Sequence, residues 1–479
     1  MKVNIRCRRT IRTNLFAALA VSTLLPGIVF AQTPAPSSAP ATTPAQAGPL
    51  YADYPQKRGK VQPLQFETLP SWATLNMELR GRTEGQTSIN YTENGDRTYE
   101  LTRVYGGLEV RPTKYVTGYL QFIDTHALGL PLHVVAANMR DVFDLRQGYV
   151  NVHLKPGKVP VELIAGRQEL KFDSERIIGI SDWTNNSRSW DGFDARIGDK
   201  NRIDLFSTSV VAVHASSLDK HGAGLTFHGA YATLGTWVPH VRLSPYVLFH
   251  DVRGVTSQQN IKGNEVETTF GAEVQGNLPA NFSYEANGSL QRGSYSNDSI
   301  HAGQNFDKLW YTAKTLPWQP RLGGEFDYAT GNDHKDLTRI GTYDQQYPSN
   351  HNAFGLVDLF GYQNIRQERI NLDLGPTKNL SLLVQGGFLN LATTKDSLYS
   401  SSGSVTIKAP TAGFNSTDIG KEFDASAKYV FHDYIVANVG VGHLFPGQML
   451  IGNNHGAADT IGYFSLTYRY RVDKHSPKP

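Results

Sequence analysis

The sequence predicts an all-β fold, a transmembrane antiparallel up-and-down β-barrel of about 18 strands. Three observations carry that expectation. From Trp72 onward the gaps between extended segments alternate long and short to the end of the chain. Within the segments, of about 8–15 residues each, polar and apolar residues alternate with period two. Tyr, Phe and Gly are abundant (23, 22 and 45), yet beyond the N-terminus no stretch reaches the roughly 18 apolar residues of a spanning helix.

The N-terminus predicts a secretory signal over residues 1–31. Lys2, Arg6, Arg8, Arg9 and Arg12 precede an apolar run from Leu15 to Phe30, and Val29-Phe30-Ala31 offers a small-residue cleavage site. Those 31 residues hold five cations and no acids, so the remaining chain carries 41 Lys+Arg against 43 Asp+Glu. The basic balance of the whole chain therefore belongs to the signal and does not point to nucleic acid. Cys7 is the single cysteine, which leaves the processed chain without disulfides or thiolate metal sites. Residues 32–70 are rich in Pro, Ala, Ser and Thr and read as a flexible periplasmic lead-in. Residues 71–473 read as one outer-membrane barrel, with 474–479 as a C-terminal tail.

The short gaps are RPTK (111–114), KPGKVP (155–160), GDKNR (198–202), TLGTWVPH (233–240), NLPAN (277–281), LPWQP (316–320), GPTKN (375–379) and FHDY (431–434). The long gaps include 86–97, 125–142, 172–189, 254–266, 293–307, 331–363 and 394–419. An outer-membrane barrel sorts its connections this way, with tight periplasmic turns and long external loops. Tyr115, Trp237, Trp318 and Tyr434 beside the short turns suit an interfacial girdle.

Parity sets the direction of each strand's faces. In 74–82, Leu75, Met77 and Leu79 oppose Asn76, Glu78, Arg80 and Arg82. In 101–111, Val104, Leu108 and Val110 oppose Arg103, Tyr105, Glu109 and Arg111. Near the end, Phe464, Leu466, Tyr468 and Tyr470 oppose Ser465, Thr467, Arg469 and Arg471. A charge facing lipid at mid-depth costs about 2–4 kcal/mol, so the charged face is assigned to the lumen. Eighteen strands enclose more space than side chains can fill, which predicts an aqueous channel.

No catalytic or metal motif is present, and the histidines, His126 and His133 included, are scattered without metal-ligand spacing. The sequence therefore predicts no enzyme activity and no cofactor. What recurs is Arg on the inward parity: Arg80, Arg82, Arg103, Arg111, Arg167, Arg196, Arg321, Arg369 and Arg469, with acids such as Glu169 and Asp194 among them. Arg binds carboxylates through a flat fork and stays charged at any working pH. Two readings stay open: the cations stage a polyanion through the pore, or they pair with neighbouring acids and brace the wall.

Two segments go further. AGRQELKFDSERIIGISDWTNNSRSWDGFDARIG (165–198) and TYDQQYPSNHNAFGLVDLFGYQNIRQERINLDLG (342–375) resemble the alginate export family of outer-membrane barrels. The resemblance implies an eighteen-stranded monomer with an Arg-lined constriction that passes an anionic polysaccharide. It marks Arg167 in G-R-Q, and Asp194 and Arg196 in W-D-G-F-D-A-R, as pore-lining charges. The family's exporter has a long plugging turn near its C-terminal end, where this chain has only FHDY. The function expected is passive export of an anionic or polar exopolysaccharide across the outer membrane, with a periplasmic secretion partner. The alternative is an uptake porin for small anionic or sugar solutes, with loop 331–363 folded inward as its constriction.

Overall fold

The computed structural model describes residues 62–64, 69–93, 95–351, 353–431 and 434–473. The expected signal segment, the lead-in apart from its last residues, and the C-terminal tail lie outside them. The described chain forms a closed antiparallel barrel of 18 strands. They are β1 (Ala73–Thr87), β2 (Arg97–Thr113), β3 (Val116–Leu128), β4 (Asp141–Leu154), β5 (Val161–Gln168) and β6 (Trp190–Gly198). There follow β7 (Asn201–Ala212), β8 (Leu225–Val238), β9 (Val241–Thr256), β10 (Lys262–Leu278), β11 (Phe282–Tyr295) and β12 (Asp298–Thr312). The last six are β13 (Arg321–Ala329), β14 (Ile365–Leu374), β15 (Leu380–Leu391), β16 (Asp418–Phe431), β17 (Ile435–Pro446) and β18 (Asp459–Asp473). Each strand pairs with its sequence neighbours, and β1 closes on β18 from Thr74↔Asp473 to Thr87↔Thr460. Closure leaves no open edge, the condition for a sheet to survive in hydrocarbon.

The faces follow parity. Leu75, Met77 and Leu79 are each 40% exposed on the outside, whereas Arg80, Arg82, Glu84 and Gln86 are buried inside. Tyr115, Trp237 and Trp318 stand exposed beside the short turns.

Three expectations are corrected. The gap placed at 293–307 is a two-residue turn between β11 and β12, whose fourteen-pair register runs from Phe282↔Tyr311 to Tyr295↔Asp298. Its polar residues read as loop because they face the lumen: Gln304 donates to Asn287 Oδ1 (2.8 Å) and Ser289 Oγ (2.9 Å). The gap at 254–266 likewise shrinks to 257–261, because β9 and β10 pair as far as Thr256↔Lys262. Finally, the connection 169–189, read as an external loop, does not stay outside. It turns into the barrel, as 330–364 does in line with the uptake alternative, for a reason visible on β7 to β9.

There the inner face is aromatic rather than charged: Phe206, Phe227, Tyr231, Tyr246 and Leu248 are buried together. An apolar patch facing a wet lumen needs a cover. Leu170, Phe172, Ile177, Ile178 and Ile180 of the 169–189 segment supply it. Each such side chain contributes about 1.5–3 kcal/mol when fully buried. A second apolar cluster includes Phe354, Leu356, Val357, Phe360 and Tyr362 of 330–364, with Leu389, Leu444 and Ile461 from the strands.

The inside-out polarity yields a direct check. Leu466 lies midway along β18 on the lipid face. Leu466→Lys is expected to destabilise the barrel by about 2–4 kcal/mol, and Leu466→Phe by less than about 1 kcal/mol, measured by denaturant titration into bilayers. Equal stability for the two variants would contradict the assigned facing.

Candidate functional site

Segment 169–189 crosses the lumen as a strut with oppositely charged anchors. Its cationic end is Arg176, which pairs with Glu325 and with Asp327 (2.9 Å) on β13. Glu325 is a hub, also receiving Arg369 Nε (3.0 Å) and Lys308 (3.3 Å). Its anionic end is the tip at Asp182, which meets Arg103 on β2 (3.0 Å). Arg103 is also paired with Glu78, which accepts from Arg469 at 2.7 Å.

The tip solves a problem the sheet creates. Arg80 and Arg103 are directly opposed across β1 and β2 and face the lumen, an arrangement of like charges that destabilises a sheet. Arg80 donates to the carbonyls of Asp182 and Thr184, both at 2.8 Å. Arg82 donates to the Trp183 carbonyl (2.5 Å) and lies 3.8 Å beneath the Trp183 ring. Arg146 reaches the same tip through Ser187 Oγ (2.6 Å) and also pairs with Glu169 (2.5 Å). The guanidinium of Arg146 points inward because a bulge in β4, between Gln121↔Gln147 and Phe122↔Leu145, inserts it as an extra residue.

Segment 330–364 locks the strut. Gly179 N donates to Tyr347 O (2.8 Å), Tyr347 N to Ile177 O (3.2 Å), and Ser349 N to Glu175 O (2.8 Å). The approach is close enough that a Cβ on Gly179 would stand 2.4 Å from Ser349 Oγ. Trp183 stacks on His351 at 3.6 Å between centroids. The second segment is fixed in turn to the wall: Asp344 meets His250 (3.1 Å), Gln346 donates to Glu267 (2.6 Å), and Val357 N donates to Glu422 (3.0 Å).

Burial and neighbouring charge oppose one another along the strut. Partial desolvation of the half-exposed Asp182 carboxyl would raise its pKa, but Arg103, Arg80, Arg469 and Arg146 outweigh it and hold that pKa below the ordinary value. Arg188 is drawn down to about 10 by burial, against the pull of Tyr347 and Glu175, so it stays charged at neutral pH. It donates to the carbonyls of Gly179 and Tyr347, both at 2.7 Å, and so joins the two segments.

The sequence-predicted residues divide. Arg80, Arg82, Arg103, Arg469 and Glu169 gather around the tip. Arg369 and Arg321 lie on the other wall, Arg321 stacked 4.2 Å over Trp310 and 3.8 Å from Asp373. Asp194 and Arg196 form an inward pair (2.7 Å) extended through Asp204 to Arg202. Arg196 and Arg202 border a polar space of about 150 Å³ beneath the strut, with Tyr149, Gln168 and Lys171. Arg111 sits at the periplasmic end with Glu109 (2.6 Å). A larger groove of about 510 Å³ between Val150, Leu163, Phe193 and Leu205 is apolar and belongs to the lipid-facing surface.

Arg167 departs from the expectation. It registers with Gly148 and Asp191, on the same parity as Leu163 and the 67% exposed Phe193, and so lies on the outer face. There it pairs with Asp191 (2.8 Å) and donates to the Leu145 carbonyl (2.9 Å). The predicted parity ran Arg167 and Glu169 together on one strand, ahead of a gap placed at 172–189. The strand ends at Gln168, and the chain then turns inward. Sequence reasoning missed Arg146, behind the bulge, and Arg176, Asp182, Trp183 and Arg188, in a segment read as an external loop. The run IIGI (177–180) inside a polar loop is the signal that marks it for burial.

A profile of the alginate export family matches residues 71–464. The chain belongs to the alginate export family. Outside that family the likeness is one of fold. OccK11 (OpdR) of Pseudomonas aeruginosa aligns at 12% identity and a TM-score of 0.52, covering 85% of this chain and all of that one. OccAB2 of Acinetobacter baumannii aligns at 9% identity and 0.53, covering 84% and all, respectively. OpdK of Pseudomonas aeruginosa, solved with vanillate, aligns at 11% identity and 0.52, covering 83% and 98%. No relative is found among proteins of curated function. This member of the alginate export family is thus an outer-membrane channel protein, with two connections folded into its lumen.

The strut makes two predictions. Arg176→Ala strips Asp327 of its ion pair and is expected to cost about 3–5 kcal/mol of strut seating, seen in a planar bilayer as opening bursts and raised mean conductance. The exposed, outward Arg366→Ala should leave both unchanged. Asp182, with its depressed pKa, supports the tip at neutral pH and loses that support only as pH falls through a value below the ordinary 3.8. Wild type should show an opening transition in that acid range. Asp182→Asn should already be open at pH 7 and lack it.

Proposed function

We propose that the protein is a passive channel for export of an anionic or otherwise polar exopolysaccharide, its alginate-like cargo staged by lumenal arginines. One observation carries the reading: Arg80, Arg82, Arg103 and Arg146 converge on the oxygen atoms of a single loop tip. Carbonyl oxygens of Asp182, Trp183 and Thr184 stand where the carboxylate oxygens of a polymer would bind. The tip is then a tethered competitor that a polyanion displaces on entry. Glu78 and Glu169, each already paired with one of these cations, keep the site from holding its cargo too tightly, as conduction requires. Arg196, Arg321 and Arg369 extend the cationic contacts along the lumen, each with a partner acid close by. No chemistry of its own is assigned to the protein, and neither cofactor nor metal is needed for the passage. The chain acts as a monomer in the outer membrane after cleavage of residues 1–31, with the lead-in 32–70 and a periplasmic partner on the inner side. Against the exporter stands an uptake porin for small anionic or sugar solutes. That reading is favoured by the direct hydrogen bonds that join 169–189 to 330–364 inside the barrel.

Single-channel conductance of the refolded protein separates them. Blockade by oligouronates should tighten with chain length, and neutral oligosaccharides of matched length should block weakly. Arg103→Ala or Arg80→Ala should weaken uronate blockade about tenfold, the worth of one charge-assisted hydrogen bond. The outward Arg167→Ala should leave it intact. Blockade that ignores chain length would favour the uptake porin.

A further inference from the structure

Away from the strut, three carboxylates converge at the rim where β4 begins. Asp141 and Asp144 belong to β4, and Asp219 to the connection 213–224 between β7 and β8. Each offers an oxygen atom, and the three lie within 4.8 Å of one another. Two oxygens bound on opposite sides of a calcium ion, at about 2.4 Å each, stand about that far apart.

Proximity of acids alone means little at a surface, but this cluster is not at the surface. Asp141 is 2% exposed and Asp144 3%. The Oδ1 atom of Asp141 is fully buried and receives no hydrogen bond, and among the described residues its carboxylate has no ion pair. Asp144 accepts from the amides of Leu145 and Asp219, both at 2.5 Å, and Asp219 accepts from the His214 amide at 2.7 Å. The nearby cation Arg167 is engaged by the Asp191 carboxylate and by the Leu145 and Asp219 backbone carbonyls, the last at 3.4 Å, and pairs with none of the three carboxylates. A buried carboxylate without a partner is costly, and two more acids beside it add to the cost. A bound cation removes both penalties. Among the described residues the other group of this kind, His250, Glu265 and Asp344, differs: both ring nitrogens of His250 already face Asp344 and Tyr347.

We propose that Asp141, Asp144 and Asp219 bind one divalent cation, calcium by preference, that fastens the 213–224 connection to the barrel rim. The donor set is all oxygen, and one ligand comes from a loop able to adjust, which suits a large, hard ion over one that demands strict octahedral geometry. The remaining coordination positions fall to water. The connection is also held by Arg140, through the Ala215 carbonyl (3.0 Å) and Ser216 Oγ (2.7 Å), and by a short pairing of Lys220 and His221 with Ala212 and Val211. The exposed Lys220 follows the proposed ligand directly and serves as its reporter.

The experiment uses the full refolded barrel in detergent, stripped with chelator, titrated calorimetrically with calcium chloride and digested in parallel with trypsin. About one calcium per chain should bind more tightly than about 1 mM, the range of extracellular sites. Calcium should slow cleavage after Lys220 at least fivefold. Asp141→Asn and Asp219→Asn should each weaken binding at least tenfold and abolish the protection. If Asp141→Asn does not give the heat-modifiable folded form, Asp219→Asn, which lies outside the strands, decides. Absence of calcium binding by wild type up to about 10 mM, or binding and protection retained in Asp219→Asn, would overturn the proposal.

Discussion

Everything in this structure follows from the demand that a sheet in hydrocarbon satisfy its own backbone. The pairing of β1 with β18 closes the ladder, and closure fixes an inside and an outside for every strand. Once the outside must face lipid, polar residues have one place to go. The lumen therefore collects the chain's charge, and a lumen full of charge needs partners. Those partners come from the same walls and from two connections folded inward.

The strut of 169–189 is the clearest case. Its apolar middle covers the aromatic inner face of β7 to β9, while its ends meet opposite charges. Neither feature alone would hold it across the space. Apolar burial is non-directional and fixes depth poorly. Ion pairs fix position, but they lose most of their strength where water enters. Combined, they hold the tip against Arg80, Arg82 and Arg103, where the opposed guanidinium groups gain oxygen partners the sheet itself cannot supply. The site proposed for cargo is thus also a site of internal strain relief. Displacement of the tip by a polyanion exchanges one set of oxygens for another, and the arginines are never left bare.

Much of this was legible in the chain. The alternation in Leu75 to Arg82 and in Phe464 to Arg471 assigned faces correctly, because lipid penalises charge on every second residue. The short connections, FHDY apart, announced themselves by Pro, Gly and Asn. Legibility failed where parity was interrupted. The bulge at Arg146 shifts the alternation by one residue, and the end of β5 at Gln168 puts Arg167 outside although Glu169 turns inward. It failed again on β12, where lumenal Gln and Asn looked like loop, since composition cannot distinguish a wet surface from a wet interior.

The sequence by itself determined the closed barrel, its number of strands and the concentration of Arg on inward positions, because these depend on a local period of two repeated many times. Only the tertiary structure decided which connections enter the lumen and which charges meet there. Arg176 with Asp327 and Asp182 with Arg103 are contacts between residues about 80 to 150 positions apart, and no local pattern encodes them. They exist because closure sets the width of the space and an aromatic patch on one wall attracts an apolar run. The length of that segment then brings each end to a charge of the opposite sign.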